Sequence, residues 1–350
     1  GEEKIKLEAG KQHSPNMKDV AKKAGVSVAT VSAVINRNRF VSDELTRRVL
    51  EAIEELNYIP NRVARGLKKK RTFIIAYIIP DITNPIFAEV VRGIQDVMEK
   101  VSYSVSLYNS YFSDKKLFRN LAAVLESKPD GIILSAWHSP EVEKAVSLIQ
   151  ESGTPLVIAH SPRNMENIDS ILVDDEEGAY DAVNTLIKWE HKHIVSLGVE
   201  NSTTSLLRER GYRKALLEKR GIVEEDLIFR AKSFSSKSAF DKIQELDNSD
   251  PNFTAIFAHS DSLAVGAIEA LQEMGLRVPE NVSVMGFDGA YAFCTVPKIT
   301  TMVIPNYEIG NKVAEILLER INLPHSGSVI KEEIKPHLVV QKSTRCLDKD

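Results

Sequence analysis

From Phe73 onward, the chain alternates short apolar runs with amphipathic segments long enough to form helices. The runs are FIIAYIIP, SVSLYNS, GIILSA, PLVIAH and SILVDD, followed by HIVSLGV, IFRAKSF, TAIFAHS and SVMGFDG. Buried parallel strands have this nearly continuous apolar character, and each needs a crossover connection to the next. The two series therefore predict two α/β lobes with a cleft between them and functional loops at the carboxyl ends of the strands.

The length and composition indicate a globular protein of more than one domain. A chain of 350 residues is too long for one ordinary core, and 43% apolar with 27% charged residues is typical of globular proteins. No run approaches the ~18 apolar residues that cross a bilayer, and residues 1–16 contain no apolar core of a signal peptide. Cys294 and Cys346 are too few for a disulfide framework or a clustered metal site. We therefore expect a cytoplasmic protein that needs no membrane partner, metal or cofactor.

The charges are distributed unevenly along the chain. Between Met17 and Thr72 there are 13 Lys and Arg residues and 6 Asp and Glu residues, a net charge of +7, whereas the chain from Phe73 onward has a net charge of −11. A small basic head on a large acidic body indicates that the head binds a polyanion. A solvated basic face is the alternative interpretation.

Three short helices are predicted in the head, and residues 1–16, which show no periodicity, are predicted to be a disordered lead-in. The helices cover Lys18–Ala24, Ser27–Asn36 and Ser42–Leu56. A helix, a turn at Gly25 and a short second helix match the helix-turn-helix arrangement, although other αα-hairpins share this pattern.

The second helix, SVATVSAVIN, is built almost entirely from small or aliphatic residues. At 100° per residue, Val31 and Val34 fall on one side, which we expect to be buried. The opposite side is then free to enter a DNA major groove. It carries Val28, Ala29, Ser32, Ala33 and Asn36.

A basic linker, YIPNRVARGLKKKRT, follows the third helix. Its simplest interpretation is a flexible charged tether. The alternative is a nascent helix whose cations bind phosphates while Leu67 inserts between base steps in the minor groove. Gly66 costs about 1 kcal/mol of helix propensity relative to alanine, so such a helix would form mainly on its partner.

The segments MKDVAKKAGVSVATVSAVIN and FVSDELTRRVLEAIEELNYIPNRVARGL resemble the head and hinge of the lac-repressor (galactose-repressor) family of bacterial transcription regulators. The similarity continues through NPIFAEVVRGI, RERGYRKAL, SDSLAVGAIEALQEMGLRVPENVSVMGFDG and PKITTMVIPNYEIG. The resemblance implies an all-α helix-turn-helix head (17–59), the hinge (60–72) and a two-lobed, periplasmic-binding-protein-like α/β core (73–345). It also implies a homodimer whose operator affinity changes when a small-molecule effector occupies the cleft.

The resemblance also implies DNA-binding residues. Family positions that read bases correspond to Val28, Ala29 and Ala33, and the minor-groove leucine corresponds to Leu67. At position 33 many relatives have Arg or His, whereas alanine can contact only apolar features such as the thymine methyl group. The implied set is Val28, Ala29, Thr30, Ser32, Ala33, Asn36, Ala64, Leu67 and Lys68.

In the core, Arg208 matches the family's effector-binding arginine, Asp288 matches its ligand-binding aspartate, and Phe234 lies near a position often occupied by a stacking aromatic. An arginine, an aspartate and an aromatic face suit a sugar. The implied effector-binding set is Asn84, Phe87, His160, Arg208, Phe234, Ser260 and Asp288, and Trp137 and His138 are further candidates. Where relatives often have Asp, Asn and Asp, this chain has His160, Ser260 and Gly289, which leaves the identity of the sugar open.

The sequence therefore predicts an effector-controlled, sequence-specific DNA-binding regulator, a repressor of carbohydrate genes. The core alone would also suit a solute-binding receptor of the transport class, but the basic head and the lack of a signal peptide argue against it. An enzyme is disfavoured because no G-x-G-x-x-G or G-x-x-x-x-G-K-[ST] motif follows a strand. The absence of a leucine-heptad tail after the core favours a dimer over a tetramer.

Overall fold

A computed structural model describes residues 15–36, 39–59, 71–135, 139–160, 165, 167–246, 253–291, 294–323 and 327–347. The chain divides into two compact units, residues 1–72 and 73–350. The predicted residues Ala64, Leu67, Lys68, Trp137 and His138 lie outside the described residues. Among the helices in the described part of the chain, none combines the length and the apolar character needed to cross a bilayer.

The three helices predicted in the head and the nine strands predicted from the apolar runs are all present. The helices are α1 (Met17–Ala24), α2 (Val28–Asn36), α3 (Asp43–Glu55), α4 (Pro85–Lys100), α5 (Asp114–Ser127), α6 (Pro140–Glu151), α7 (Asp175–Lys188), α8 (Thr203–Arg220), α9 (Ser236–Ile243), α10 (Asp261–Glu273) and α11 (Asn306–Asn322). The strands are β1 (Ile74–Ile79), β2 (Ser104–Asn109), β3 (Gly131–Ser135), β4 (Leu156–Ala159), β5 (Asp169–Val173), β6 (Ile194–Val199), β7 (Ile228–Ala231), β8 (Ala255–Ala258), β9 (Ser283–Asp288), β10 (Thr300–Val303), β11 (Lys331–Ile334) and β12 (His337–Val339).

The head is a three-helix unit around a small apolar core that includes Val20, Val31 and Val49. At its N-terminus, α1 begins with a capping box, in which the Asn16 side chain accepts from the first turn and the Asp19 carboxylate accepts from the Asn16 N–H. These caps and the apolar stripe explain why so short a segment is helical.

The turn between α1 and α2 depends on Gly25. Its φ of 64° lies in the left-handed region that favours glycine, and its N–H closes the last turn of α1. Arg48 of α3 reaches the same turn and donates to the Ala24 carbonyl oxygen at 2.6 Å. A Cβ on residue 25 would lie 2.6 Å from the Arg48 guanidinium, so this flexible side chain would have to shift, whereas the left-handed φ itself favours glycine. The orientation of α2 is thereby tied to α3.

The core contains two six-stranded sheets. Sheet 1 has the order β11-β5-β4-β3-β1-β2 and is parallel throughout. Sheet 2 has the order β12-β10-β9-β8-β6-β7 and is parallel except for β12, which pairs antiparallel with β10. We call the lobes built on these sheets lobe 1 and lobe 2. The predicted two-lobed α/β core is confirmed.

The chain passes between the lobes three times. It leaves sheet 1 after β5 and enters α7, which packs on α8 in lobe 2. It returns after β10 into α11, which packs on α4 in lobe 1, and crosses again between β11 and β12. The strands at these crossings lie at one end of each sheet. They are β11 and β5 in sheet 1 and β12 and β10 in sheet 2. The β2 and β7 edges are farthest from the crossings.

The packing of α4 on α11 leaves no room for side chains at Gly93 and Gly310. A Cβ on Gly93 would lie 2.2 Å from the Tyr307 carbonyl oxygen, and one on Gly310 would lie 2.2 Å from that of Val90. We expect Gly93→Ala to lower the free energy of unfolding of the core by about 1–3 kcal/mol, because overpacking outweighs the better helix propensity of alanine. Urea unfolding measures the change. Gln95→Ala, on the exposed face of α4, is the control, and equal stability of Gly93→Ala and the parent chain would contradict the close packing.

Candidate functional site

A cavity with a volume of about 770 Å³ lies between the two lobes. Its walls are formed by residues that follow the carboxyl ends of strands in both sheets, as expected for parallel α/β folds. All seven residues of the predicted effector-binding set line it: Asn84, Phe87, His160, Arg208, Phe234, Ser260 and Asp288. Their common location is a geometric finding, and their roles in binding remain a prediction.

Arg208 on α8 is buried, with 5% of its surface exposed, and is held from three directions. Its Nε donates to Asp175 Oδ1 at 2.8 Å, and Nη2 lies 2.7 Å from the same oxygen. Nη1 donates to the His259 carbonyl oxygen, and the guanidinium carbon lies 3.8 Å from the centroid of the Phe287 ring. Three of the five N–H donors of the guanidinium are used in this way. A ligand must therefore bind the other donors or displace one of these partners.

Asp288, at the end of β9, has a φ of 94°, an unusual conformation for a residue other than glycine. Its Oδ1 accepts from the Ala290 N–H at 2.9 Å. Burial raises the pKa of Asp288 well above its usual range, and the negative charge of Asp261 raises it further, while Arg208 opposes the shift. An effector hydroxyl that donates to this carboxylate would stabilise its charged form.

Asp261 is fixed nearby by its own hydrogen bonds. Its Oδ1 accepts from the Thr301 hydroxyl at 2.6 Å, and its Oδ2 accepts from the Tyr291 N–H at 3.1 Å. Because both oxygens are engaged, Asp261 acts as a fixed negative charge beside Asp288 rather than as a second ligand-binding carboxylate.

His160 follows β4 at a φ of 54° and lines the cavity. Its Nε2 lies 2.9 Å from Asn306 Oδ1, and its ring meets Phe87 edge-on at 6.1 Å between centroids. Burial lowers the pKa of His160, so the ring is neutral near pH 7. Nε2 therefore carries the proton donated to Asn306, and Nδ1, which has no hydrogen-bond partner in the described chain, is an acceptor.

Asn84 and Ser260 each line the cavity wall and also cap the start of a helix. The Asn84 amide oxygen accepts from the Ile86 N–H at the start of α4, and the Ser260 hydroxyl accepts from the Leu263 N–H at the start of α10. The caps fix the orientation of both side chains. Phe234 follows β7 and packs partly against the core of lobe 2.

A neutral histidine supports Arg208 from inside lobe 2. His259 Nδ1 and Nε2 lie 2.7 and 2.9 Å from the hydroxyls of Ser205 and Ser196. Burial, together with the positive charge of Arg208, lowers the pKa of His259 to about 3. The ring of His259 is therefore uncharged. The backbone carbonyl oxygen of the same residue accepts from Arg208.

The residues missed by the sequence reasoning include Asp175, Phe112 and Tyr291, which line the cavity, and Asn306, which contacts His160. Asp175 follows the run SILVDD, so the rule that functional residues follow strands would have found it. Asn306 contributes only through its contact with His160, which depends on the tertiary structure. No group of three or more His, Cys, Asp or Glu residues within the described ranges is arranged to hold a metal ion.

In the head, α2 presents Val28, which is 41% exposed, and Ala29 to solvent. The Ser27 hydroxyl lies 2.9 Å from that of Thr30, and the Asn36 amide donates to the Ser32 carbonyl and hydroxyl oxygens. Thr30, Ser32 and Asn36 are each half-buried.

The prediction that Ala33 faces outward is wrong, because it is only 2% exposed. A methyl group extends one carbon from the backbone, so an alanine can remain below the surface formed by longer side chains even on the outer side of a helix. The exposed Phe40, between α2 and α3, was not considered in the sequence reasoning although 92% of it is exposed.

Comparison with known families matches both units of the chain. Residues 16–61 match the family described as "Bacterial regulatory proteins, lacI family", and residues 183–344 match a "Periplasmic binding protein-like domain". Catabolite control protein A of Priestia megaterium is 36% identical over 307 residues, which cover 87% of this chain and 92% of that protein.

Two solved structures share the fold and the sequence pattern. A lac repressor dimer bound to operator and the anti-inducer ONPF is 26% identical, with a TM-score of 0.80, and the match covers 95% of this chain and 99% of that one. A complex of the transcriptional regulator CelR with cellobiose is 28% identical, with a TM-score of 0.71, and covers 94% and 99%.

The raised pKa of Asp288 predicts how stability depends on pH. Because the folded chain holds this proton more tightly than the unfolded chain, its contribution to stability is present below the usual pKa of aspartate and is lost as pH rises through the raised pKa. We expect Asp288→Asn, which keeps the acceptor for Ala290, to be more stable than the parent at pH 7.5 and similar to it near pH 4. Urea unfolding of both proteins across this range measures the difference. The exposed Asp226→Asn is the control, and a destabilised Asp288→Asn at pH 7.5 would contradict the assignment.

Proposed function

The chain belongs to the lacI family of bacterial regulatory proteins, and we propose that it represses carbohydrate genes, with its affinity for operator DNA set by a sugar in the interlobe cleft. One observation carries the proposal: a basic helix-turn-helix head shares a chain with a two-lobed core whose cleft contains an arginine, an aspartate and aromatic rings. The relatives support this role, because they are transcription regulators and one solved neighbour holds cellobiose.

The head would bind one half-site of an operator, and a homodimer would bind both. We propose that Val28 and Ala29 contact bases, since both are exposed on α2. Thr30, Ser32 and Asn36 would contact the backbone or neighbouring bases. In the hinge, Leu67, with Ala64 beside it, would enter the minor groove while Lys68 binds phosphate. Ala33 is left out of this set because it is buried.

In the cleft, the sugar would be held by groups of complementary hydrogen-bonding character. Arg208 offers donors and Asp288 accepts from hydroxyls, while His160 lines the wall beside them. The ring of Phe234 would cover the apolar face of the sugar, with Asn84, Phe87 and Ser260 completing the wall.

Regulation would follow from linkage between the two binding events. If the sugar and the operator favour different arrangements of the lobes, each changes the affinity for the other by the same factor. Asp175, which lines the cleft, and Asn306, which contacts His160, stand at the crossings between the lobes, so a ligand that engages Arg208 or His160 would act on the connections themselves.

We also infer that the chain acts in the cytoplasm, where an operator is accessible, and that it is not an enzyme. The relatives support the second inference, because those named above are regulators. A transport receptor would use a similar cleft but would have no use for a basic helix-turn-helix head.

The proposed function is tested by mixing the full-length chain with a random library of DNA duplexes at physiological salt and selecting the duplexes that bind. An inverted repeat should emerge, and a panel of sugars should include one that changes the affinity for it. Equal binding to every duplex would overturn sequence-specific regulation.

Thymine methyl contacts by α2 can be tested by replacing single thymines of the selected half-site with deoxyuridine. Each contacted methyl should contribute about 0.8 kcal/mol, which is about fourfold in affinity. Val28→Ser should abolish the sensitivity to one such replacement, whereas Leu50→Ser, exposed on α3, should keep it. Fluorescence anisotropy measures the affinities. A Val28→Ser protein with the sensitivity of the parent would exclude Val28 from base reading.

The role of Arg208 requires a double variant, because removing it alone leaves Asp175 as an unpaired buried carboxylate at a cost of about 3–5 kcal/mol. We expect Arg208→Ala with Asp175→Asn to bind operator as the parent does, while the sugar effect, typically ~5–150-fold in allosteric proteins, disappears. Anisotropy with and without the sugar measures both quantities. Arg210→Ala, exposed two residues along α8, should keep the response, and a sugar effect retained by the double variant would rule out Arg208.

A further inference from the structure

Phe112 lies on the side of the cleft farthest from the connections that cross between the lobes, and we call this side the mouth. It follows β2, the edge strand of sheet 1, and the segment Lys232–Ser236 follows β7, the edge strand of sheet 2. Both line the cavity, and both edges stand at the end of the sheet order opposite the connections that cross between the lobes. Arg208, Asp175 and Asp288 form the inner part of the same cavity, closer to those connections.

The backbone around Phe112 is held in an unfavourable conformation. Tyr111 and Phe112 both have a φ of 53°, and neither is one of the residue types that adopt this region readily. The turn is tied to the end of β1, because the Phe112 N–H donates to the Pro80 carbonyl at 3.1 Å and the Ser110 N–H donates to that of Ile79 at 2.9 Å. The fold therefore places an aromatic ring, 54% exposed, at the mouth of the cleft before any ligand arrives.

Tyr111 has the same backbone conformation and nearly the same exposure, 55%, but a different environment. The ammonium of Lys116 lies 4.0 Å from the centroid of its ring, and Tyr111 is not part of the cavity wall. Of the two neighbouring rings, Phe112 is therefore the one placed to contact a ligand in the cleft, and Tyr111 provides a matched control.

The loop after β6 in lobe 2 presents polar side chains to the cavity: Asn201, Ser202, Thr203 and Thr204 line it. A cavity that combines the aromatic ring of Phe112 with hydroxyl and amide groups suits a sugar ring, which has an apolar C–H face and hydroxyls at its edge. An alkyl or aryl group would instead bury these polar groups without hydrogen-bond partners, which is costly.

Charge and volume indicate what kind of sugar fits. The carboxylates of Asp81 and Glu200 line the cavity together with the single ammonium of Lys232, an excess of negative charge that disfavours a sugar phosphate at the mouth. The cavity volume of about 770 Å³ lies in the upper part of the ~300–1,000 Å³ range of small-molecule sites. It has room for a second sugar ring beyond the one that contacts Arg208 and Asp288.

We propose that Phe112 and the segment Asn201–Thr204 form an outer sugar subsite, so that the effector is a disaccharide or longer oligosaccharide rather than a monosaccharide. The inference rests on the proposed function, which assigns a sugar to the cleft. It adds a second ring, stacked on Phe112, to the ring bound by the inner residues.

The test is isothermal calorimetry on the full-length chain with glucose, galactose and xylose and with cellobiose, maltose, lactose and xylobiose. The best disaccharide should bind at least about tenfold more tightly than its component monosaccharides. Phe112→Ala should weaken disaccharide binding by about tenfold and leave monosaccharide binding unchanged, because the stacking partner of only the outer ring is lost. Phe112→Trp should restore disaccharide binding, and Tyr111→Ala should match the parent.

Different results would overturn the outer subsite and the sugar effector. Monosaccharide and disaccharide binding of equal strength, both unaffected by Phe112→Ala, would overturn the outer subsite while leaving a sugar in the cleft. Equal weakening by Tyr111→Ala and Phe112→Ala would also overturn it, because the effect would then come from the turn and not from the ring. If none of the seven sugars binds, the sugar effector of the proposed function fails and the outer subsite fails with it.

Discussion

The cleft depends on the buried ion pair between Arg208 and Asp175. Removing two charges from water costs several kcal/mol per ion, so the guanidinium is surrounded by the carboxylate, the His259 carbonyl and the face of Phe287. Its positive charge in turn helps to keep His259 neutral, since it lowers the pKa of that ring. Asp175 is the first residue of α7, directly after the chain leaves sheet 1. The pair therefore joins the floor of the cleft to a connection between the lobes.

A second crossing is joined to the cleft through His160. Its Nε2 contacts Asn306, the first residue of α11 after the chain returns to lobe 1. A ligand shifts an equilibrium between lobe arrangements only by its difference in affinity for them. When the lobes move, the geometry around residues that are hydrogen-bonded at the crossings must change. If a ligand binds Arg208 or His160, as we propose, it would therefore have such a difference in affinity.

The sequence predicted the features set by local pattern, and missed those set by tertiary contacts. The nine apolar runs became β1–β9, and apart from the half-buried edge strands β2 and β7 these are largely buried, as continuous apolar sequence in a parallel sheet requires. Three strands escaped prediction. β11 and β12 are short edge strands with polar residues such as Glu332 and His337, and β10 has only four residues, of which the first two are threonines. The seven predicted cleft residues share one cavity because strand ends converge, but the pairing of Arg208 with Asp175 depends on how α8 packs on α7. The helical wheel placed Ala33 outside because it treats all side chains as equally long.

The plain surface of α2 limits how much its apolar contacts can contribute to specificity. With only Val28 and Ala29 exposed as apolar contacts, and about 0.8 kcal/mol for each buried methyl, these contacts in one head fall well short of the ~4–10 kcal/mol that separates specific from non-specific binding. Alanine and valine cannot hydrogen-bond to a guanine. Two heads on an inverted repeat would double the apolar contribution. The remaining specificity would then fall to the polar side chains Thr30, Ser32 and Asn36, to DNA shape and to the proposed hinge around Leu67.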